Sequence, residues 1–173
     1  MRYIECFDLK NADDFKKLYF ESFPENERVD FNDLFSGVFK NFKLIGQYDN
    51  GKLVGMMHFI IKPDFIHLNY FAIRPERRGQ GCGSKCLSWL KRKYNMPIVV
   101  DVEELDPKSK NYEYRIKRHH FYMKNGMTHG KYTFTWQGEF FTYLNTKTIN
   151  SESFMKHITY IFPTITNIQP YVK

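Results

Sequence analysis

The stretch Arg77 to Lys85, RRGQGCGSK, sets three alternating glycines between an apolar run, IHLNYFAI, and an amphipathic run, CLSWLKRKY. The first run reads as a strand and the second as a helix. Glycine lets the main chain approach a ligand without side-chain obstruction. A helix start offers free N–H groups and a positive dipole end. A strand that turns through such glycines into a helix therefore reads as an anion cradle. It also confines the fold to those in which a strand end meets a helix start. The turn is no Walker loop, because Gly-Lys-Ser/Thr is absent. Its glycines, at 79, 81 and 83, are one too many and too close for a dinucleotide fingerprint. A plain helix cap is the bland alternative.

Periodicity and punctuation order the rest of the chain. Residues 2–7 read as a strand. Residues 11–23 carry Phe15, Leu18, Tyr19 and Ser22/Phe23 at helical spacing, and Pro24 ends that helix. Residues 31–39 place Phe31, Leu34, Phe35, Val38 and Phe39 on one stripe after Asp30, which predicts a second helix with Asp30 as N-cap. Two β-rich runs flank Asp49-Asn50-Gly51, a hairpin signal. A turn at Pro63-Asp64 leads to a strand over 65–73, then the glycine turn and a helix to about Tyr94. PIVVDVE, Pro97 to Glu103, fits a strand buried on both faces. Residues 111–124 read as a helix closed by Asn125-Gly126, YTFTWQGEFFTYL as a hairpin, and 151–160 as a last helix.

From the first strand to the second hairpin the order is β, α, α, β, β, β, α, β, α, β, β. It predicts an α/β class with a mixed sheet, an antiparallel meander joined to a βαβα half, as one domain over residues 1–173. No helices separate the second, third and fourth strands, so the chain is not doubly wound.

A chain of 173 residues with net charge +7 has room for a sizeable core. Its basic balance points to nucleic acid, an anionic membrane surface or an anionic small molecule. Arg74, Arg77, Arg78, Lys85, Lys91, Arg92 and Lys93 crowd around the glycine turn and its helix, and Lys108, Lys110, Arg115, Lys117 and Arg118 form a second group. A nucleic-acid binder spreads its cations over a docking face. A single anionic ligand at the turn accounts for this concentration, so no nucleic acid is expected. No run of about 18 apolar residues is present and the N-terminus lacks a signal-peptide core, so no membrane partner and a cytoplasmic address are expected. Cys6, Cys82 and Cys86 have no metal-ligand spacing. They read as reduced packing thiols, and no metal is expected.

Arg78-Gly79-Gln80-Gly81-Cys82-Gly83 has the form Arg-x-x-Gly-x-Gly, and HFYMKNGM has the form FYxxxGF with Met127 replacing the last phenylalanine. Together with FAIRPERRG they resemble the GNAT N-acetyltransferase superfamily. The resemblance covers roughly Phe42 to Leu144 well and the two N-terminal helices acceptably. It implies the GNAT-type acyl-CoA N-acyltransferase fold and acetyl-CoA (coenzyme A) as co-substrate. By that resemblance the main chain of Phe71, Ala72 and Ile73 meets the pantetheine arm. Amides from Gly79, Gln80, Gly81, Cys82, Gly83 and Ser84 hold the pyrophosphate, and Arg78 takes the motif's arginine position. Lys85 or Arg92 is left for the 3′-phosphate.

The implied reaction moves an acetyl group directly from acetyl-CoA to a primary amine of a small molecule or protein. The amine must lose a proton and the departing thiolate must gain one. Tyr122 matches the tyrosine that protonates the sulfur; its bland role is packing. Glu103 and Glu104 end the strand beside the expected site, and either carboxylate suits the base, with Glu103 placed first. His119 and His120, one turn before Tyr122, are rivals. The family's small Asn and Ala, seven and four residues before the tyrosine, are replaced by Arg115 and Arg118. In SFPENERVDF, Glu25, Glu27 and Arg28 are the residues available to an amine acceptor, with Glu27 and Arg28 as substrate-binding candidates. Tyr70, Tyr132 and Tyr143 read as packing aromatics.

The alternative to an enzyme is a non-catalytic acyl-CoA-binding or regulatory domain. The acceptor's identity is not written in the sequence. The apolar tail, ITYIFPTITNIQPYVK, suits packing within a monomer or against a second copy in a homodimer.

Overall fold

Asn50 and Gly51 both take positive φ, 48° and 77°, the left-handed pair that closes a two-residue hairpin. In the computed structural model, which describes residues 1–35 and 40–172, this turn joins β2 (Phe42–Asp49) to β3 (Lys52–Ile61). Two compact units make up the chain, Met1–Met96 and Pro97–Lys173.

In the first unit, β1 (Arg2–Glu5), β2, β3 and β4 (Ile66–Ile73) pair antiparallel in chain order. Helix α1 (Asp13–Ser22) has ten residues, too few to be stable alone. It rests on burying Phe15, Leu18 and Tyr19, each stabilising by roughly 1.5–3 kcal/mol. Helix α2 (Cys82–Tyr94) buries Cys82, Cys86, Leu87 and Leu90. The two helices lie on opposite faces of the sheet. A Cβ on Gly46 would come within 2.7 Å of Phe15 on α1, whereas its neighbour Gln47 bonds to Cys82 on α2. Successive strand residues face opposite ways. Strand β3 is accordingly buried from Leu53 to Ile60.

The predicted second helix is corrected. Phe31–Phe35 form a 3-10 helix with Phe31 and Leu34 buried, a spacing of three that suits three residues per turn. Asp30 does cap it, its side chain accepting the Asn32 N–H at 2.8 Å. Val38 and Phe39 of the predicted stripe lie outside the described residues.

In the second unit, β5 (Ile98–Glu103), β7 (Glu139–Asn145), β6 (Thr128–Trp136) and β8 (Thr166–Pro170) are neighbours in that order, paired antiparallel. Helix α3 (Tyr112–Lys124) packs beside β5 and α4 (Ser151–Ile161) beside β6. In β5 every residue but Asp101 is buried. Helix α4 buries Phe154, Met155, Ile158 and Ile161. Tyr143, fully buried, packs on Phe154 and donates to Ser151 at 2.7 Å. Strand β8 is an addition to the predicted order. All five of its residues are exposed, so it carries no alternation to read, and its proline suits an edge.

The class is mixed α/β, as expected. Cys6, Cys82 and Cys86 are free and buried. No described helix is long and apolar enough to cross a membrane.

Candidate active site

Strand β4 ends at Ile73, and a short 3-10 turn, Pro75–Arg77, carries the chain into RGQGCGS. Gly79 and Gly81 have φ of 72° and 76°, and a Cβ built on either meets nothing within 4 Å. Gly81 is the N-cap of α2. Cys82, Gly83 and Ser84 therefore hold the N–H groups that a helix start leaves without an intrahelical acceptor. Free amides, a positive helix end and open space above glycines fit an anionic group. The first turn of α2 carries no acidic residue.

The cations near this turn divide by task. Arg74 donates to the Leu53 carbonyl at 2.7 Å and faces Asp14 and Glu21. Arg77 is paired with Asp49 at 2.5 Å. Arg78, the motif's arginine, turns back and donates to the Ile73 carbonyl at 2.9 Å. Neither Lys85 nor Arg92 is ion-paired with a described residue. Together with Ser84, Ser88, Met1 and Tyr3 they line an open cleft of about 560 Å³. Arg92 donates to Ser88 at 2.6 Å within it.

The loop SFPENERVDF is held from β4. Tyr70 donates to the Glu27 carbonyl and accepts the Val29 N–H, each at 3.3 Å. Arg28 lies over the Phe20 ring and donates to the Phe20 carbonyl. Tyr70 is itself buried against Tyr19 and Phe23, the packing role expected of it.

In the second unit, Tyr122 sits in the last turn of α3, 8% exposed. Burial pushes its phenol up to about 12, with Arg118 pulling down and Asp101 pushing up. At neutral pH it is a protonated donor. The two glutamates at the end of β5 differ sharply. Glu103 is buried, and its carboxylate accepts from Asn111 at 2.9 Å, pairs with Arg115 at 3.4 Å and takes a short bond from Arg118. Glu104 is half-buried, and no described residue bonds to its carboxylate. Burial raises its pKa above the usual glutamate value, and His119 opposes that rise. His119 is buried, its Nε2 2.8 Å from the Glu103 carbonyl. His120 is exposed.

Arg115 and Arg118 thus turn into a charge cluster on their own unit. Sequence reasoning missed three supporting residues: Asn111 and Glu139 beside this cluster, and, in the first unit, Gln47 beside the start of α2. Only Gln47 left a signal, as a polar residue inside the apolar run FKLIGQY. Among the described residues, no group of three or more His, Cys, Asp or Glu is placed to hold a metal.

The model of the acetyltransferase (GNAT) domain matches residues 41–128. Over 67 residues the chain is 34% identical to "Putative acetyltransferase YjbC" of Bacillus subtilis (strain 168), covering 39% of this chain and 33% of that protein. The chain thus spans about a third of that relative's length. Among solved structures, "Putative acetyltransferase from GNAT family from Bacteroides thetaiotaomicron" superposes with a TM-score of 0.74 at 21% identity, over 95% of this chain and 98% of the other. An aminoglycoside 6′-N-acetyltransferase complexed with coenzyme A gives a TM-score of 0.65 at 16% identity, over 86% and 97%. These likenesses speak for the fold. The matched domain spans just over half of the 173 residues, and the chain belongs to the GNAT acetyltransferase family.

Proposed function

We propose that this protein transfers the acetyl group of acetyl-CoA to a primary amine of a small molecule or protein. The observation that carries the reading is the glycine turn, where a Cβ built on Gly79 or Gly81 meets nothing within 4 Å and Gly81 caps the start of α2. A pyrophosphate suits it in charge and size. Lys85 and Arg92, which line one cleft with Ser84 and are ion-paired with no described residue, suit the 3′-phosphate end of coenzyme A. Main chain at Phe71–Ile73 serves the pantetheine arm, as the family likeness implies.

Acetyl-CoA supplies an acyl carbon already activated as a thioester. Glu104 takes a proton from the acceptor's ammonium, which frees the nitrogen lone pair to attack that carbon. As the C–N bond forms and the C–S bond breaks, Tyr122 gives its phenolic proton to the departing sulfur. The second proton lost by nitrogen restores Tyr122, so one proton is released per turnover. Two features support these roles: a carboxyl that burial makes more basic and a phenol that burial keeps protonated. Glu104 is preferred to Glu103 because the Glu103 lone pairs are already engaged by two guanidinium groups and an amide. Glu27 is the acceptor-side candidate on the loop that Tyr70 holds, while Arg28 braces that loop against Phe20.

The test is titration calorimetry with acetyl-CoA, with ATP and NAD as controls, followed by a free-thiol assay over a panel of primary amines. Micromolar binding of acetyl-CoA alone, with thiol release by one class of amine, is the expected result. Binding without turnover across the panel supports the non-catalytic acyl-CoA-binding alternative. Absence of binding in folded protein reduces the turn to a helix cap.

A further inference from the structure

The end of β5 is gripped from α3 at four points. Arg115 is 4% exposed, deep enough that a lone guanidinium there would be costly. Every face of it is used. Its Nε donates to Asn111 at 2.7 Å and lies 3.4 Å from the Glu103 carboxylate. Its Nη1 donates to the main-chain carbonyl of Glu104 at 3.0 Å, and its Nη2 to Glu139 on β7 at 2.8 Å. His119 meets the Glu103 carbonyl, and the Glu104 N–H donates to Phe140 at 2.8 Å. The backbone on either side of the Glu104 side chain is therefore fixed, while its carboxylate is left unbonded by any described residue. A network that satisfies every neighbour and spares one half-buried carboxylate is what presents a base.

We propose that Arg115, anchored by the Glu103 and Glu139 carboxylates, is a positioning residue that clamps the end of β5 and so presents the carboxylate of Glu104. Glu103 is then the anchor of this clamp and not a second base. The proposal rests on the reading of Glu104 as the base, but its clamp stands on the hydrogen bonds alone. The charged and titratable groups among the described residues that bear on Glu104 are His119 on α3, Tyr171 beyond β8, whose phenol is raised by burial and then by the Glu104 charge, and the Arg115 guanidinium on its carbonyl.

The experiment needs no acceptor. Full-length protein labelled with [13Cδ]glutamate is titrated by NMR, with the Glu104 and Glu103 signals assigned from Glu104→Gln and Glu103→Gln. In the parent protein Glu104 gives one sharp signal with a midpoint above the ordinary glutamate value of about 4.3. In Arg115→Met the strand end is released, the carboxyl regains water, and the midpoint falls toward that value as the signal broadens. Asn111→Ala removes two bonds of the clamp without unpairing a buried charge, so it serves if Arg115→Met does not fold, and it moves the midpoint the same way by less. A Glu104 midpoint and line width unchanged in both variants overturns the clamp. Turnover is read separately with an acceptor from the amine panel: Glu103→Gln keeps kcat within about tenfold, whereas Glu104→Gln loses at least a hundredfold. If Glu104→Gln keeps its kcat, the base assignment fails while the NMR result still decides the clamp. If Glu103→Gln loses as much as Glu104→Gln, Glu103 is more than an anchor and the proposal falls.

Discussion

The side-chain amide of Gln47 on β2 donates to the carbonyl of Cys82, 3.2 Å away in the first turn of α2, and to the Tyr3 hydroxyl at 3.1 Å. Gln47 is fully buried, and its Oε1 has no described partner. A buried unsatisfied oxygen costs about 1–3 kcal/mol. The fold accepts that cost to tether the strand to the start of the cradle helix. Gln47→Met frees both partners. We expect the variant to fold with a stability loss of about 1–2 kcal/mol and to bind acetyl-CoA more weakly. Thermal unfolding and calorimetry read the two effects, and undiminished affinity in folded protein removes the tether from the account of the site.

Gly51 and Gly81 make a matched pair. Their φ values are 77° and 76°, and a Cβ on either meets nothing within 4 Å. Valine at either site carries the same left-handed strain, about 1–2 kcal/mol. Only at Gly81 does the new side chain enter space assigned to the pyrophosphate. Gly81→Val is expected to lose at least tenfold in acetyl-CoA affinity, and Gly51→Val none. Equal affinities in the two variants would falsify the cradle.

The hairpin at Asn50-Gly51, the helix after the glycine turn and the strand at 98–103 were legible because turn chemistry and periodicity act within ten residues or so. The places of Tyr122, in the last turn of α3, and of Gly81, at the start of α2, were legible because their motifs are local too. The roles of Glu103 and Glu104 were not. Strand alternation separates their faces, but which one is consumed depends on Asn111, Arg115, Arg118 and, through Arg115, Glu139, brought together by tertiary packing. Phe31–Phe35 misled for another reason: a spacing of three and four suits both an α-helix and a 3-10 turn, and five residues are too few to tell them apart. Strand β8 escaped because an exposed edge strand carries no pattern.

The pH dependence of turnover follows from the two proposed proton carriers. Glu104 must be ionised to act as a base, so kcat/KM falls as pH drops through its raised pKa, above the ordinary glutamate range. Tyr122 must be protonated to act as an acid, so its loss appears only as pH rises toward about 12. The profile should therefore show an acid limb and no tyrosine-dependent alkaline limb below about pH 10. Tyr122→Phe should lower kcat by about a hundredfold with acetyl-CoA affinity intact, provided proton transfer limits the rate. Arg118→Ala removes the cation that lowers the phenol, so the Tyr122 signal, followed by tyrosine-labelled NMR, should titrate still higher. A phenol that titrates no higher without Arg118 discounts this electrostatic link.

His58 makes the fold sensitive to acid. It is fully buried in β3, 3.3 Å from the Leu34 carbonyl and stacked on Phe42. Burial lowers its pKa to about 3, with the Leu34 carbonyl opposing and His67 adding to the fall. The unfolded chain binds this proton at about pH 6.5 and the folded chain does not. The unfolded state therefore holds more protons between those values, and stability drops as pH falls below about 6.5. The slope for one histidine is about 1.4 kcal/mol per pH unit. Unfolding in denaturant at pH 6.5 and pH 5, mostly above the carboxylate range, isolates it. His58→Asn, which keeps a polar side chain facing Leu34 but cannot charge, should show a shallower drop across that window by about 1–2 kcal/mol. The same drop in both proteins means that another group takes up the proton and that His58 is not the source of the acid sensitivity.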